Sequence, residues 1–171
     1  MPFTPYHVGP AIAVKSVFPR KFSLFIFAWA QIVMDLQPLI VILVGRGRPH
    51  GATHTLIGAA VLGGAAALTG KYLQEWVLSW RKGRPVIRLS WGLVLLSAFL
   101  GTFSHVLIDA LVYPDIDLLW PFTSGNPLRI GFSMQGVVLF CVIGGVLGAV
   151  VWGLRSIVQR GKRQKDSSAP G

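Results

Sequence analysis

Four long apolar runs restrict this chain to folds that a lipid bilayer can hold. The runs cover residues 22–44, 49–69, 89–112 and 133–154. A helix of about 20 apolar residues crosses the hydrocarbon core of a membrane, where the backbone can satisfy its hydrogen bonds only within the protein. A shorter apolar segment, residues 5–18, predicts one more short helix. The sequence therefore predicts an all-α integral membrane helical bundle of about four transmembrane helices plus a short N-terminal helix.

The composition agrees with a membrane-embedded chain of one domain. Of its 171 residues, 53% are hydrophobic and 13% are charged, and the mean hydropathy is +0.61. We assign residues 1–158 to the membrane domain. Within it, residues 70–88 combine aromatic and basic side chains and are typical of an interfacial loop. Residues 159–171 are basic and then small and polar, which predicts a disordered cytoplasmic tail.

The positive charges indicate a membrane topology. A net charge of +10 could point to nucleic acid, but the basic residues fall in short clusters between the apolar runs. We therefore expect the lipid bilayer as partner and no nucleic acid. If the run at 22–44 begins in the cytoplasm and each later run crosses once, the clusters at 15–21 and 71–88 and the tail all face the cytoplasm.

Histidines and acids gather near the opposite, extracytoplasmic ends of these runs. His105 and Asp109 lie four residues apart, so they share one face of a helix. The other candidate metal ligands are His7, Asp35, His50, His54 and Asp115. An unpartnered imidazole or carboxylate at membrane depth is costly, and this mixture of ligands suits zinc, with manganese or iron as alternatives. The residues would suffice for one or two divalent ions.

Each of these residues also has a simpler interpretation. A single buried histidine can be a hydrogen-bonded core residue, and Asp35 can belong to a proton relay. The spacing of His105 and Asp109 also fits a histidine that a carboxylate orients. Because the candidates all fall on one side of the predicted topology, the set favours a metal site in the outer half of the membrane.

The same residues resemble a family of predicted membrane-bound, metal-dependent hydrolases of bacteria and archaea. The motifs that carry the resemblance are MPFTPYH at 1–7, MDLQP at 34–38, HGATHT at 50–55, GTFSHVLID at 101–109 and LLWPF at 118–122. That family is distantly similar to zinc-dependent phospholipases C and fungal single-strand-specific zinc nucleases, which are helical and cut phosphoester bonds. The resemblance implies a multi-pass protein of a bacterial or archaeal cytoplasmic (inner) membrane. The ligands that it implies are His7, Asp35, His54, His105 and Asp109.

Two positions depart from these relatives. Asp115 stands where the zinc enzymes have a histidine, and Gln37 stands where the hydrolase family often has a second acid. The histidines near the C-terminal end of the zinc enzymes have no counterpart in residues 133–171. The resemblance therefore implies one or two ions.

The ligand set and the resemblance together predict a membrane-bound hydrolase that cleaves a phosphoester in a lipid or lipid-linked substrate with a metal-activated water. Asp35 or Asp109 would act as general base. Arg46 and Arg48 could hold the phosphate or be ordinary loop charges. Two other functions stay open: an ion- or proton-coupled transport component that uses these residues as a relay, and a non-catalytic membrane protein stabilised by metal.

The charge bias can be tested directly. A membrane-impermeant maleimide added to intact cells should label Ser124→Cys but not Ser79→Cys, because the basic residues of 71–88 hold that segment in the cytoplasm. Labelling of Ser79→Cys from outside would reverse the predicted orientation and leave the metal site untouched.

Overall fold

Helices make up the regular structure of the computed structural model, which describes residues 5–80 and 88–167. In chain order the elements are a 3-10 turn Pro5–His7, α1 Val8–Val17, α2 Leu24–Val44, a 3-10 turn Ala52–His54, α3 Leu56–Ser79, α4 Trp91–Ala110 and α5 Met134–Ser167. No strand occurs in the two described ranges, so the predicted all-α class is confirmed.

Four helices are long and apolar enough to cross a membrane. They are α2, α3, α4 and the part of α5 from Met134 to Gly161. Many large apolar side chains on these helices are exposed, and extensive apolar surface of this kind marks contact with lipid. Helix α1 has 10 residues and is about 15 Å long, which is too short to span. The prediction of four transmembrane helices plus a short N-terminal helix is therefore confirmed by length and composition.

Local sequence signals set where these helices begin and end. The hydroxyls of Ser23, Thr55 and Ser90 accept hydrogen bonds from backbone N–H groups in the first turns of α2, α3 and α4. Such caps satisfy N–H groups that a helix start otherwise leaves unpaired. Helix α2 ends at Gly45, whose φ of 70° lies in the left-handed region that glycine adopts without strain.

Helix α3 is longer than the sequence predicted. It continues to Ser79, although residues 70–88 were expected to form a loop. The reason is local: Lys71 forms an ion pair with Glu75 one turn later, and Glu75 also accepts a hydrogen bond from the backbone of Leu89. Lys71 and Glu75 therefore both have polar partners while the chain stays helical. The rest of the predicted loop, residues 81–87, lies outside the described residues.

Helix α5 also extends beyond its predicted end. The backbone is helical to Ser167, which corrects the prediction of a disordered tail for residues 159–167. Arginine, lysine and glutamine are frequent in this stretch, and all three are good helix formers. The basic composition therefore prolongs the helix as far as the structure describes it.

Helices α2, α3 and α4 pack on one another around two apolar clusters. One cluster consists of Ile26, Ala30, Ala66, Ala67, Val94 and Ala98. The other consists of Met34, Ala59, Val106, Ala110, Ile116 and Leu118. Each apolar cluster contains residues from matching parts of α2 and α4, together with residues from the opposite part of α3. Helix α3 therefore runs antiparallel to α2 and α4. The second cluster lies where α2 and α4 finish.

Helix α5 packs mainly on α1 through glycines. A Cβ at Gly9 would overlap the backbone carbonyl of Cys141, and a Cβ at Gly148 would overlap the backbone of Ala13. Small residues let membrane helices approach this closely. Because the first 3-10 turn leads directly into α1, this contact also places His7 against the bundle.

The close contact between α1 and α5 predicts a stability difference between two glycines of α5. Gly148→Leu should lower the free energy of unfolding by about 1–3 kcal/mol, since the new side chain must push α1 away. Gly153→Leu is the matched control, because no described atom lies within 4 Å of a Cβ built there. Thermal unfolding in detergent micelles measures both. Equal melting temperatures for the two variants would contradict the packing described here.

Candidate metal centre

Five side chains from four parts of the fold meet beside the last turns of α4 and the middle of α2. His7 closes the first 3-10 turn, Asp35 lies within α2 and His54 closes the second 3-10 turn. His105 and Asp109 occupy the last turns of α4. All five are buried, with at most 6% of their surface exposed. We call these five residues the histidine–aspartate cluster.

Asp109 lies at the centre of the cluster. Its Oδ1 is 3.5 Å from His7 Nε2. Its Oδ2 is 3.3 Å from His105 Nε2 and 3.7 Å from His54 Nε2. Asp35 Oδ1 is 3.5 Å from the same nitrogen of His105. These separations exceed the usual N–H···O range of about 2.7–3.2 Å, but they match the roughly 3.3–3.6 Å between ligand atoms of a tetrahedral ion with bonds of about 2.0–2.2 Å.

Two of the imidazole nitrogens have no well-aligned hydrogen-bond partner. The Nε2 atoms of His54 and His105 are buried and, within the part of the chain that the structure describes, accept and donate no hydrogen bond. A buried polar atom left unpaired costs about 1–3 kcal/mol. A cation between these nitrogens and the carboxylates would satisfy both lone pairs, so the cluster fits a divalent metal ion.

Hydrogen bonds on the far side of the ring orient His105. Its Nδ1 lies 2.7 Å from Gln31 Oε1, while Gln31 Nε2 donates to the carbonyl of Gly101 at 3.0 Å. Because the second bond turns the amide oxygen toward the imidazole, His105 Nδ1 is the protonated nitrogen. His105 Nε2 then presents its lone pair to Asp35 and Asp109, as a metal ligand requires.

A similar chain of hydrogen bonds orients His54. Its Nδ1 lies 3.0 Å from the hydroxyl of Thr53, which in turn makes a close contact with Gln37 Oε1. Gln37 Nε2 donates to the carbonyl of Arg48, so its oxygen is left to accept from Thr53. The hydroxyl can then accept from His54 Nδ1, and Nε2 keeps its lone pair. Gln37 therefore orients the imidazole of His54 through Thr53.

A comparison with known protein families matches residues 10–165 to the YdjM inner membrane protein family. The chain belongs to this family. The match covers most of the chain and contains Asp35, His54, His105 and Asp109, whereas His7 precedes it. The predicted location in an inner membrane is confirmed at this level. Searches of curated proteins and of solved structures gave no match.

Two imidazoles of this YdjM family member lie outside the four membrane-spanning helices and are held neutral. Burial lowers the pKa of His7 to about 4 and the pKa of His54 to about 3. In both cases the nearby His105 lowers the pKa and Asp109 raises it, but burial is the largest cause. At neutral pH both rings therefore keep the lone pair that a metal ion needs.

His50 and Asp115 form a pair at the rim of the cluster. His50 Nδ1 lies 2.9 Å from Asp115 Oδ2. A ligand atom of His50 lies within 4.8 Å of ligand atoms of His54 and Asp109, which is close enough to serve a second ion. Asp115 contacts the imidazole as an orienting carboxylate does. Direct ligation by Asp115 stays a prediction.

Tyr113 packs against this pair, and the sequence analysis did not single it out. Its ring contacts the His50 ring in a tilted arrangement, with the centroids 4.2 Å apart and the planes at 35°. Burial raises the pKa of Tyr113 to about 12, and the charges of Asp109 and Asp115 add to the effect. The phenol therefore stays protonated at neutral pH and can donate a hydrogen bond.

Of the two arginines predicted to hold a phosphate, Arg48 lies beside the cluster. It lines a cleft of about 230 Å³ together with His50, Asp117 and Trp120. Its side chain is 79% exposed, and its Nη1 lies 3.5 Å from Asp117 Oδ2, so Arg48 stands at the mouth of the cleft. Arg46 is exposed and is not among the residues that line this cleft.

The orienting residues Gln31 and Thr53 were also missed by the sequence analysis. Gln31 precedes Asp35 by four residues in an apolar run, which places both on one face of α2. That spacing was a usable signal. Thr53 offers no comparable signal, because a threonine next to a histidine is common in loops.

The role of Gln31 can be tested through metal affinity. Gln31→Leu should weaken zinc binding about 10- to 100-fold, because His105 Nδ1 loses its acceptor and the ring its orientation. Gln74→Leu is the matched control: Gln74 accepts a hydrogen bond from Ser23, far from the cluster. Competition with a zinc chelator measures both affinities. Unchanged zinc affinity in Gln31→Leu would remove Gln31 from the site.

Proposed function

We propose that this protein is a membrane-embedded, metal-dependent hydrolase that cleaves a phosphoester in a lipid or lipid-linked substrate. The observation that carries the proposal is the pair of unpartnered, buried Nε2 atoms of His54 and His105 that face carboxylates. Imidazole and carboxylate ligands together suit zinc, and manganese or iron also accept them. The resemblance to metal-dependent hydrolases supplies the reaction class.

The cluster offers the groups that such a reaction needs. A bound divalent ion would lower the pKa of a water molecule and neutralise charge on the phosphate oxygens. Asp109 faces imidazoles with both oxygens, which suits a ligand. Asp35 is our candidate for the general base that accepts the proton of the attacking water. Tyr113, protonated and lining the same pocket as His7 and Asp109, can donate to the departing oxygen.

The depth of the cluster favours a substrate that already lies in the membrane. Asp35 lies roughly 14 Å along the helix from Val44, where α2 ends. A lipid can approach this level sideways from the bilayer. Arg48, at the mouth of the neighbouring cleft, can attract the negative charge of the phosphate.

A proton or ion relay across the membrane is the second function that the sequence allowed. The apolar cluster around Ile26 and Val94 fills the bundle between the histidine–aspartate cluster and the other end of α2 and α4. Among the described residues, no histidine, aspartate or glutamate belongs to that apolar cluster. A relay would therefore have to pass this apolar packing, which favours a site open to one side.

The proposed chemistry predicts that His105→Ala and Asp109→Asn each lower phosphoester hydrolysis at least about 100-fold and reduce bound zinc. Asp109→Asn keeps the shape of the side chain and removes the charge that holds the ion. Asp117→Asn, which changes a carboxylate outside the cluster, should retain both activity and zinc. The assay measures phosphate release by purified protein from phospholipid, polyprenyl-phosphate and nucleotide substrates.

Chelation supplies the control and separates the alternatives. A chelator should silence the wild type, and added zinc or manganese should restore it. If the protein binds stoichiometric zinc but turns over none of these substrates, it is a non-catalytic membrane protein stabilised by metal. Absence of bound metal, with pH-dependent transport in vesicles that the same substitutions alter, would establish the relay.

A further inference from the structure

An apolar groove opens toward the bilayer between the end of α4 and the start of α5. Its volume is about 220 Å³. The residues that line it are Ile108, Leu111, Phe132, Gly136, Val137 and Phe140. A Cβ at Gly136 would meet, among the described residues, only the hydroxyl of Ser133, at 3.2 Å. Gly136 therefore keeps one wall of the groove open.

A narrow passage connects this groove to the histidine–aspartate cluster. Val137 lines both the groove and the passage, and the passage reaches His7 and Asp109. Its volume is about 10 Å³, which is close to the space that one water molecule needs. Ile108, in the wall of the groove, directly precedes Asp109 on α4. The groove and the passage therefore lie on either side of Val137, next to His7 and Asp109 of the cluster.

We propose that the groove binds one hydrocarbon chain of a lipid phosphoester from the surrounding leaflet, with the phosphate on the side of the groove that faces His7 and Asp109. The inference rests on the proposed function and names its substrate class, a phosphoester with at least one long hydrocarbon chain. The lining is apolar throughout, so the occupant is apolar at this point.

The surroundings of the groove agree with a hydrocarbon chain as its occupant. Large apolar side chains of α4 and α5 on the same part of the bundle are exposed, among them Leu107, Leu139 and Ile143. Exposed apolar surface of this kind marks contact with lipid, so lipid chains are the immediate neighbours of the groove.

The test compares two phosphatidic acids that share a head group. The wild type, with zinc bound, should hydrolyse dioleoyl phosphatidic acid at least about tenfold faster than the dibutyryl form, because the dibutyryl form stays in water and cannot fill the groove, and transfer of only two methylene groups out of water is worth about a factor of ten. Gly136→Leu fills the groove and should abolish this preference, with short-chain turnover and bound zinc unchanged. Gly153→Leu, on the lipid-facing part of the same helix, should change nothing. Equal rates for both lipids in the wild type, or an unchanged preference in Gly136→Leu, would overturn the proposal.

Cross-linking tests the groove independently of hydrolysis. Phosphatidic acid with a diazirine at the end of one acyl chain should label the segments that contain Ile108 and Phe140 in the wild type and in Gly153→Leu. The labelling should be several-fold weaker in Gly136→Leu. Equal labelling of Gly136→Leu and the wild type would refute the groove as the chain site. If no phosphoester is hydrolysed but the labelling follows this pattern, the lipid site stands and the proposed hydrolysis fails.

Discussion

The arrangement of this bundle depends on holding two carboxylates among three imidazoles inside a membrane protein. An ionised group taken out of water costs several kcal/mol unless a partner compensates it. Burial keeps His7 and His54 neutral, so they do not offset the charges of Asp35 and Asp109. One divalent cation would balance both carboxylates in their ionised form. The unpaired Nε2 atoms and the spacings of 3.3–3.7 Å around Asp109 agree with such an ion.

Small residues bring the parts of this site together. A Cβ at Gly101 would meet the Cβ of Ala30 at 2.7 Å, so glycine at this position lets α4 approach α2. That approach sets His105 one turn later within reach of Asp35 and Gln31. The second 3-10 turn is tied down differently, because the backbone N–H of Leu56 donates to the carbonyl of Leu118 at 2.9 Å. Packing of the apolar parts of the helices therefore determines the geometry of the histidine–aspartate cluster.

Hydropathy and membrane topology made much of this structure predictable. They decide which segments form the long helices and which residues belong to the histidine–aspartate cluster. Apolar length alone defines the spans, and alternate crossing brings His54, His105 and Asp35 to one side. The orienting contacts could not be predicted, because they join residues far apart in the chain: Gln31 meets His105 only when α2 and α4 are in register. The end of α3 was missed for a similar reason, since Glu75 is satisfied partly by the distant backbone of Leu89.

A cleft and a groove of different character lie near the cluster, and they bear on how water and a lipid could both reach it. The cleft carries the charged side chains of Arg48 and Asp117 beside His50, whereas the groove at Ile108 and Gly136 is lined by apolar residues alone. Water entering through the apolar groove would lose its hydrogen bonds, and a hydrocarbon chain entering the polar cleft would leave charged groups desolvated. Under the proposed chemistry, the hydrocarbon chain therefore stays in the groove, while the cleft serves water and the charged part of the substrate. A buried metal site with a single polar mouth would suit a soluble phosphoester, and the second, apolar opening is what favours a lipid.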